Sequence, residues 1–207
     1  MLKEIKLSAL HAADALGASE LVLNSSWRSQ RLLILGYHGV SLEDEHEWEP
    51  SLFMPASFLR RRFELLEKEK CQVLPFDTAV RALYVGELPP RSVAITFDDG
   101  THDFYCRALP ILTEFGYPAT LYLTTYYSYF NRPVFDPAVR YILWKARGRM
   151  LKFPEALPGP ILLHGAGREA AYRAIAAYAL KDDLGGSDKD ALLERLACAA
   201  EVDYGAI

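Results

Sequence analysis

The run Ser92-Val93-Ala94-Ile95-Thr96-Phe97 is apolar and β-rich, and it ends abruptly on Asp98-Asp99-Gly100. Val93, Ala94, Ile95 and Phe97 make both faces apolar, the pattern of a buried parallel strand. Two acids at a strand's carboxyl end lie where α/β sheets bind their ligands. Side chains alternate along a strand, so the two carboxylates are expected to point in different directions. That would suit a division of labour, one acid on a metal and the other moving protons. Asp-Gly is also a common turn dipeptide. The helix pattern that follows, in place of a second strand, favours a site over a hairpin.

Other residues can join that chemistry. His38 ends an apolar run, Leu32 to Tyr37, and in a parallel arrangement would face the same mouth as Asp98. It reads either as a substrate contact or as a packed histidine with a local hydrogen bond. Tyr126, Tyr127, Tyr129 and Phe130 form an aromatic loop at the same end of a later strand, where aromatics stack on sugars or pack as core. His102 is expected to be exposed at a helix start, and Asp103 to cap that helix. His46 falls in an acidic, solvated loop over residues 41–50, and His164 reads as structural.

The elements that must position these groups alternate. An amphipathic helix spans Leu2 to Leu23, then a short buried strand leads to His38. A helix runs from about Ser57, a candidate cap, to Lys70, with Phe58, Phe63, Leu65 and Leu66 on its inner face. Gln72 to Phe76 reads as a strand, and Asp77 as the cap of a helix ending before Gly86. After the acid pair, a helix over His102 to Phe115 closes at Gly116, and Pro118 to Thr125 is a fourth strand. Strand, helix, strand, helix, strand, helix, strand implies right-handed crossovers and a parallel sheet or barrel. A helix from Asp136 to about Arg147 follows, then a Gly/Pro-punctuated stretch that can carry one hairpin. Alanine-rich helices, broken at Gly185-Gly186-Ser187, complete the chain.

Composition bounds the partners. The chain has 207 residues, 51% hydrophobic and 24% charged, which is globular. A net charge of −4 offers no basic footprint, so nucleic acid is not an expected partner. The three cysteines form no CxxC pair and no disulfide framework. No run approaches the roughly 18 apolar residues of a membrane span, and no secretory apolar region is visible. A cytoplasmic location is the default expectation.

Thr96-Phe97-Asp98-Asp99-Gly100 resembles the first motif of the polysaccharide deacetylases, the NodB-homology domains of carbohydrate esterase family 4. Ala108-Leu109-Pro110-Ile111-Leu112, Gly116-Tyr117-Pro118-Ala119-Thr120 and Leu121 to Thr124 are similar to that family's next helix and strand. Leu35-Gly36-Tyr37-His38 resembles its first barrel strand. The resemblance covers about residues 31–147. It implies an α/β fold, a distorted (β/α)7 deacetylase-type barrel with about the first four parallel strands present, followed by a helical insertion. The segments are then 1–30, an N-terminal helical segment; 31–147, a half-barrel; and 148–207, a helical insertion or lid.

The resemblance implies metal-dependent hydrolysis of an acetyl amide or ester on an acetylated polysaccharide or amino sugar. Asp98 would be the general base and Asp99 a ligand to a divalent metal, zinc in that family. His38, Tyr126 and Tyr127 would contact the carbohydrate. The family completes its metal site with a His-Ser/Thr-x-x-His motif, and no two of the five histidines here have that spacing. The chain is therefore expected to be the N-terminal part of such a protein, truncated before those histidines. A catalytically inactive carbohydrate-binding remnant is the alternative, and a fragment with no independent role is a third. The exposed edge of an unfinished barrel predicts self-association.

Overall fold

The computed structural model describes residues 2–23, 25–130 and 132–206. They fall into two compact units, one of residues 1–42 and 54–123, the other of 43–53 and 124–207. Among the described residues no helix is long and apolar enough to cross a membrane.

The first unit opens with α1 (Leu2–Ala15), α2 (Ala18–Leu23) and α3 (Ser26–Ser29), followed by β1 (Leu33–Tyr37) and β2 (Gly39–Val40). The chain enters the second unit with α4 (Glu45–Trp48) and passes back through β3 (Phe53–Met54). It continues with α5 (Ala56–Lys68), β4 (Gln72–Val73), α6 (Phe76–Val85) and β5 (Ser92–Phe97). A π-helical turn (Phe104–Ala108), α7 (Leu109–Phe115) and β6 (Thr120–Leu121) complete the unit. The single N-terminal helix expected from the sequence is broken at Gly17, and Ile5, Leu10 and Leu16 stay exposed.

β5 organises this unit, and all six of its residues are buried. All its partners are parallel, as the alternating spacing requires. β1 lies along one edge, with Leu33 opposite Val93 and Tyr37 opposite Phe97. The other edge is shared, by β4 at Ser92-Val93 and by β6 at Thr96-Phe97. The strand order is therefore not sequential: β5, not β4, lies beside β1. The expectation that β1 is buried is corrected, since Leu33 and Ile34 are 43% and 49% exposed. With a neighbour on one side only, β1 is an edge strand. The fourth strand is shorter than its sequence suggested, two residues in place of eight.

Leu59, Phe63 and Leu66 of α5 share one helical face and pack with Val93, Ile95, Phe97, Ile111 and Leu112. Phe58 and Leu65, expected inside, are half exposed, because the buried stripe is rotated onto Leu59. Helix starts also differ: Pro55 and Pro75 precede α5 and α6, so Ser57 and Asp77 lie within the first turns and are not caps. The expected stop at Gly116 is present, its φ of +64° giving the left-handed C-cap that glycine adopts without strain.

The second unit contains α4, α8 (Thr125–Phe130), α9 (Phe135–Lys145), the antiparallel hairpin of β7 (Met150–Leu151) and β8 (Ile161–Leu162), α10 (Ala166–Lys181) and α11 (Gly186–Ala200). Phe135, Ala138, Val139, Ile142 and Leu143 of α9 form one apolar stripe, packed with Ala171, Ile175 and Ala179 of α10 and with Leu192, Leu193 and Leu196 of α11. That shared core joins α9 to the C-terminal helices. The aromatic stretch after Thr125 is a helix where a loop was expected.

The acidic stretch 41–50 is not simply solvated. Glu49 is buried and paired with Arg140, whose guanidinium lies 3.6 Å over the Tyr172 ring. Asp44 accepts hydrogen bonds from the indole N–H groups of Trp48 at 3.2 Å and Trp144 at 3.1 Å. Burial alone would push the Asp44 carboxyl up, but the Trp144 bond, Lys145, Trp48 and Arg147 together hold it below the usual carboxylate value. A depressed folded value stabilises the native state above the unfolded pKa and is lost as pH falls through the folded one. Tryptophan-monitored thermal melts are therefore expected to lose stability below about pH 4, and less steeply in Asp44→Asn.

Candidate active site

Parallel register builds the site. Tyr37 is the partner of Phe97, so the next residues, His38 and Asp98, emerge side by side at the carboxyl ends of β1 and β5. The Asp98 N–H donates to the Tyr37 carbonyl at 2.9 Å, which continues the ladder one residue past the strands. His38 Nδ1 is 3.2 Å from Asp99 Oδ2, and its Nε2 is 3.9 Å from Asp98 Oδ2. The three side chains are 44%, 43% and 49% exposed and so open to solvent.

Asp99 takes a φ of +69°, so strand alternation ends at Asp98 and both acids reach the same imidazole. Left-handed backbone at a non-glycine residue is uncommon, and aspartate is among the residues that tolerate it. Gly100 follows at φ +70°, and a Cβ there would lie 2.4 Å from Leu123 Cδ1 and 3.4 Å from Leu123 Cα. The first contact is with a mobile side-chain end, but the backbone strain remains. Gly100→Ala is expected to cost about 1–2 kcal/mol, read as a lower urea midpoint.

Asp103 is a residue whose role the sequence did not reveal. It makes no capping bond, contrary to expectation; buried, its Oδ2 accepts the Val40 N–H at 2.6 Å. That bond ties the segment after the acid pair to the segment after His38. Arg28, 64 residues before Ser92, donates to the Ser92 carbonyl at 3.1 Å and secures the start of β5. No local signal marks either contact.

Tyr126 is 45% exposed, Tyr129 83% and Phe130 54%. They belong to the second unit, whereas His38, Asp98 and Asp99 belong to the first. The side chain of Tyr127 lies outside the described residues. His102 is exposed, as expected. A groove of about 430 Å³ lined by Phe104, Leu109, Leu112 and Tyr117 is also in the first unit, but no acid or histidine lines it.

Carboxylate and imidazole are donor types that suit zinc. Among the described residues, however, no group of three or more His, Cys, Asp or Glu side chains is arranged to hold a metal ion. Asp99 Oδ2 is turned instead toward a ring nitrogen of His38.

An acid pair and a histidine thus meet at the carboxyl ends of parallel strands. Residues 85–142 match the family described as polysaccharide deacetylase. Over 100 residues the chain is 32% identical to poly-beta-1,6-N-acetyl-D-glucosamine N-deacetylase of Escherichia coli K12, and equally to that of strain O157:H7. The match covers 48% of this chain and spans about 15% of those relatives' length. The Streptococcus pyogenes deacetylase PplD, solved in complex with acetate, aligns at 25% identity over 52% of this chain and 50% of that one, with a TM-score of 0.43. A de-N-acetylase of Aggregatibacter actinomycetemcomitans aligns at 23% identity over 59% and 42%, with a TM-score of 0.38. The segment bearing Asp98 and Asp99 is thus the part of the chain that is similar to polysaccharide deacetylases.

Proposed function

We propose that this chain takes part in deacetylation of an acetylated polysaccharide, with the acid pair as its chemical centre. One observation carries the reading: the family motif folds so that Asp98, Asp99 and His38 converge at an open strand end. Asp98 is the general base. Its carboxylate removes a proton from water as the oxygen attacks the acetyl carbonyl; the carbon–nitrogen bond breaks, acetate leaves, and the amine takes up a proton. Asp99 is the carboxylate this segment offers to a divalent metal, zinc by the family resemblance. His38 orients Asp99 and contacts the sugar. The names of the Escherichia coli relatives make β-1,6-linked N-acetylglucosamine the first substrate to try.

A second reading is a silent remnant that binds carbohydrate without turning it over. The incomplete donor set among the described residues favours it. One experiment separates the two. A fully acetylated β-1,6-linked N-acetylglucosamine oligomer is incubated with the chain, with and without added zinc, while acetate and calorimetric binding are followed. Acetate above the protein-free control supports catalysis; binding without acetate supports the remnant; neither overturns both.

A further inference from the structure

Two residues past Gly100, a second pair of reactive groups lies outside the acid site. Cys106 Sγ is 3.1 Å from His102 Nε2, and both side chains are exposed. The spacing of four residues places them on one side of the turn. The turn itself is held: Asp103, between them, is anchored to the Val40 N–H, and Arg107 donates to the Leu42 carbonyl at 2.9 Å. The Tyr105 ring packs against the imidazole, with centroids 6.4 Å apart and planes at 31°. A thiol in contact with an imidazole, on a fixed turn and open to solvent, has what a nucleophilic cysteine needs: a proton acceptor and access.

We propose that Cys106 and His102 form a thiol–imidazole pair that makes Cys106 a site of covalent modification by small disulfides. Cys106 gives its proton to His102 Nε2, and its sulfur attacks one sulfur of the disulfide. A protein–reagent S–S bond forms as the reagent's own S–S bond breaks. Cys106 is oxidised and the disulfide reduced, and the departing thiolate recovers the proton from His102 or from water. The adduct marks the surface of the segment that leads out of the acid pair.

The other two thiols are internal references. Cys198 is also exposed, on α11, and Cys71 is half-buried, its thiol pushed up by burial. The test exposes the full chain to dithiobis-nitrobenzoate near neutral pH and follows each cysteine by peptide mapping. Cys106 is expected to react about tenfold faster than Cys198, with Cys71 slowest. In His102→Gln, checked for native circular dichroism, its rate is expected to fall to about that of Cys198. Equal rates for Cys106 and Cys198 in the unaltered chain overturn the proposal without any variant, as does a Cys106 rate unchanged by His102→Gln. A merely structural role for His102 would not slow Cys106 selectively.

Discussion

Asp98→Asn is expected to lower acetate release from an acetylated β-1,6-linked N-acetylglucosamine oligomer by about 10²–10⁴-fold, the usual contribution of a positioned general base. The amide is nearly isosteric with the carboxylate and cannot take the proton from water. The backbone N–H of residue 98 still bonds to the Tyr37 carbonyl, so the end of the ladder is preserved. Unchanged circular dichroism and an unchanged urea midpoint should therefore accompany the loss. A variant retaining more than about a tenth of the activity would remove Asp98 from the role of base. Asp99→Asn is the informative partner: if Asp99 positions and does not itself move protons, its effect falls more on zinc or oligomer binding than on the rate of a saturated reaction.

The second large effect is structural. Phe97→Ala is expected to destabilise the first unit by about 3–5 kcal/mol, the usual penalty for emptying a fully buried aromatic site. Phe97 has no exposed surface, and its ring centroid lies 5.2 Å from that of Tyr37 and 5.0 Å from that of Phe104. Removing it opens a cavity between the strand that carries His38 and the turn that carries Asp103. Against a typical domain stability of about 5–15 kcal/mol, such a loss can unfold the unit. With a urea dependence of about 1–3 kcal/mol per molar, the midpoint should fall by more than about 1 M. Trp48 and Trp144, in the second unit, report separately on that unit. A shift of less than about 0.3 M would mean that the core around β5 closes over the gap.

The expected consequence extends to chemistry, because Phe97 is the residue before Asp98. Conditions that keep Phe97→Ala folded should still show weakened activity, since the packing that aims the two carboxylates at His38 has been loosened. Gly100→Ala acts on the same turn from the other side, through backbone strain rather than packing.

Much of the first unit is legible in the sequence. Val93, Ile95 and Phe97 with Ala94 between them can be satisfied only by burial on both faces, and β5 is buried throughout. The hairpin after Arg147 and the break before α11 are equally readable, because turn chemistry and apolar periodicity are local signals. Errors fall where a local signal had two outlets. Proline ahead of α5 and α6 moved the helix starts away from Ser57 and Asp77. Tyr126 to Phe130 had the composition of a loop or a helix and took the helix.

By itself the sequence determined the family motif, the parallel alternation of strands and helices around it, and the place of the acid pair at a strand's end. These follow from short-range chemistry: apolar runs demand burial, and glycine permits the left-handed turn. Only the tertiary structure decided that β1 lies beside β5, and so that His38 reaches both Asp98 and Asp99. It also decided that Asp103 holds Val40 and that Glu49 meets Arg140, 91 residues away. These contacts join residues far apart in the chain, and nothing in the local pattern of either partner specifies the other. Strand order is set by which edges the whole core leaves open, and that is a property of the packed molecule.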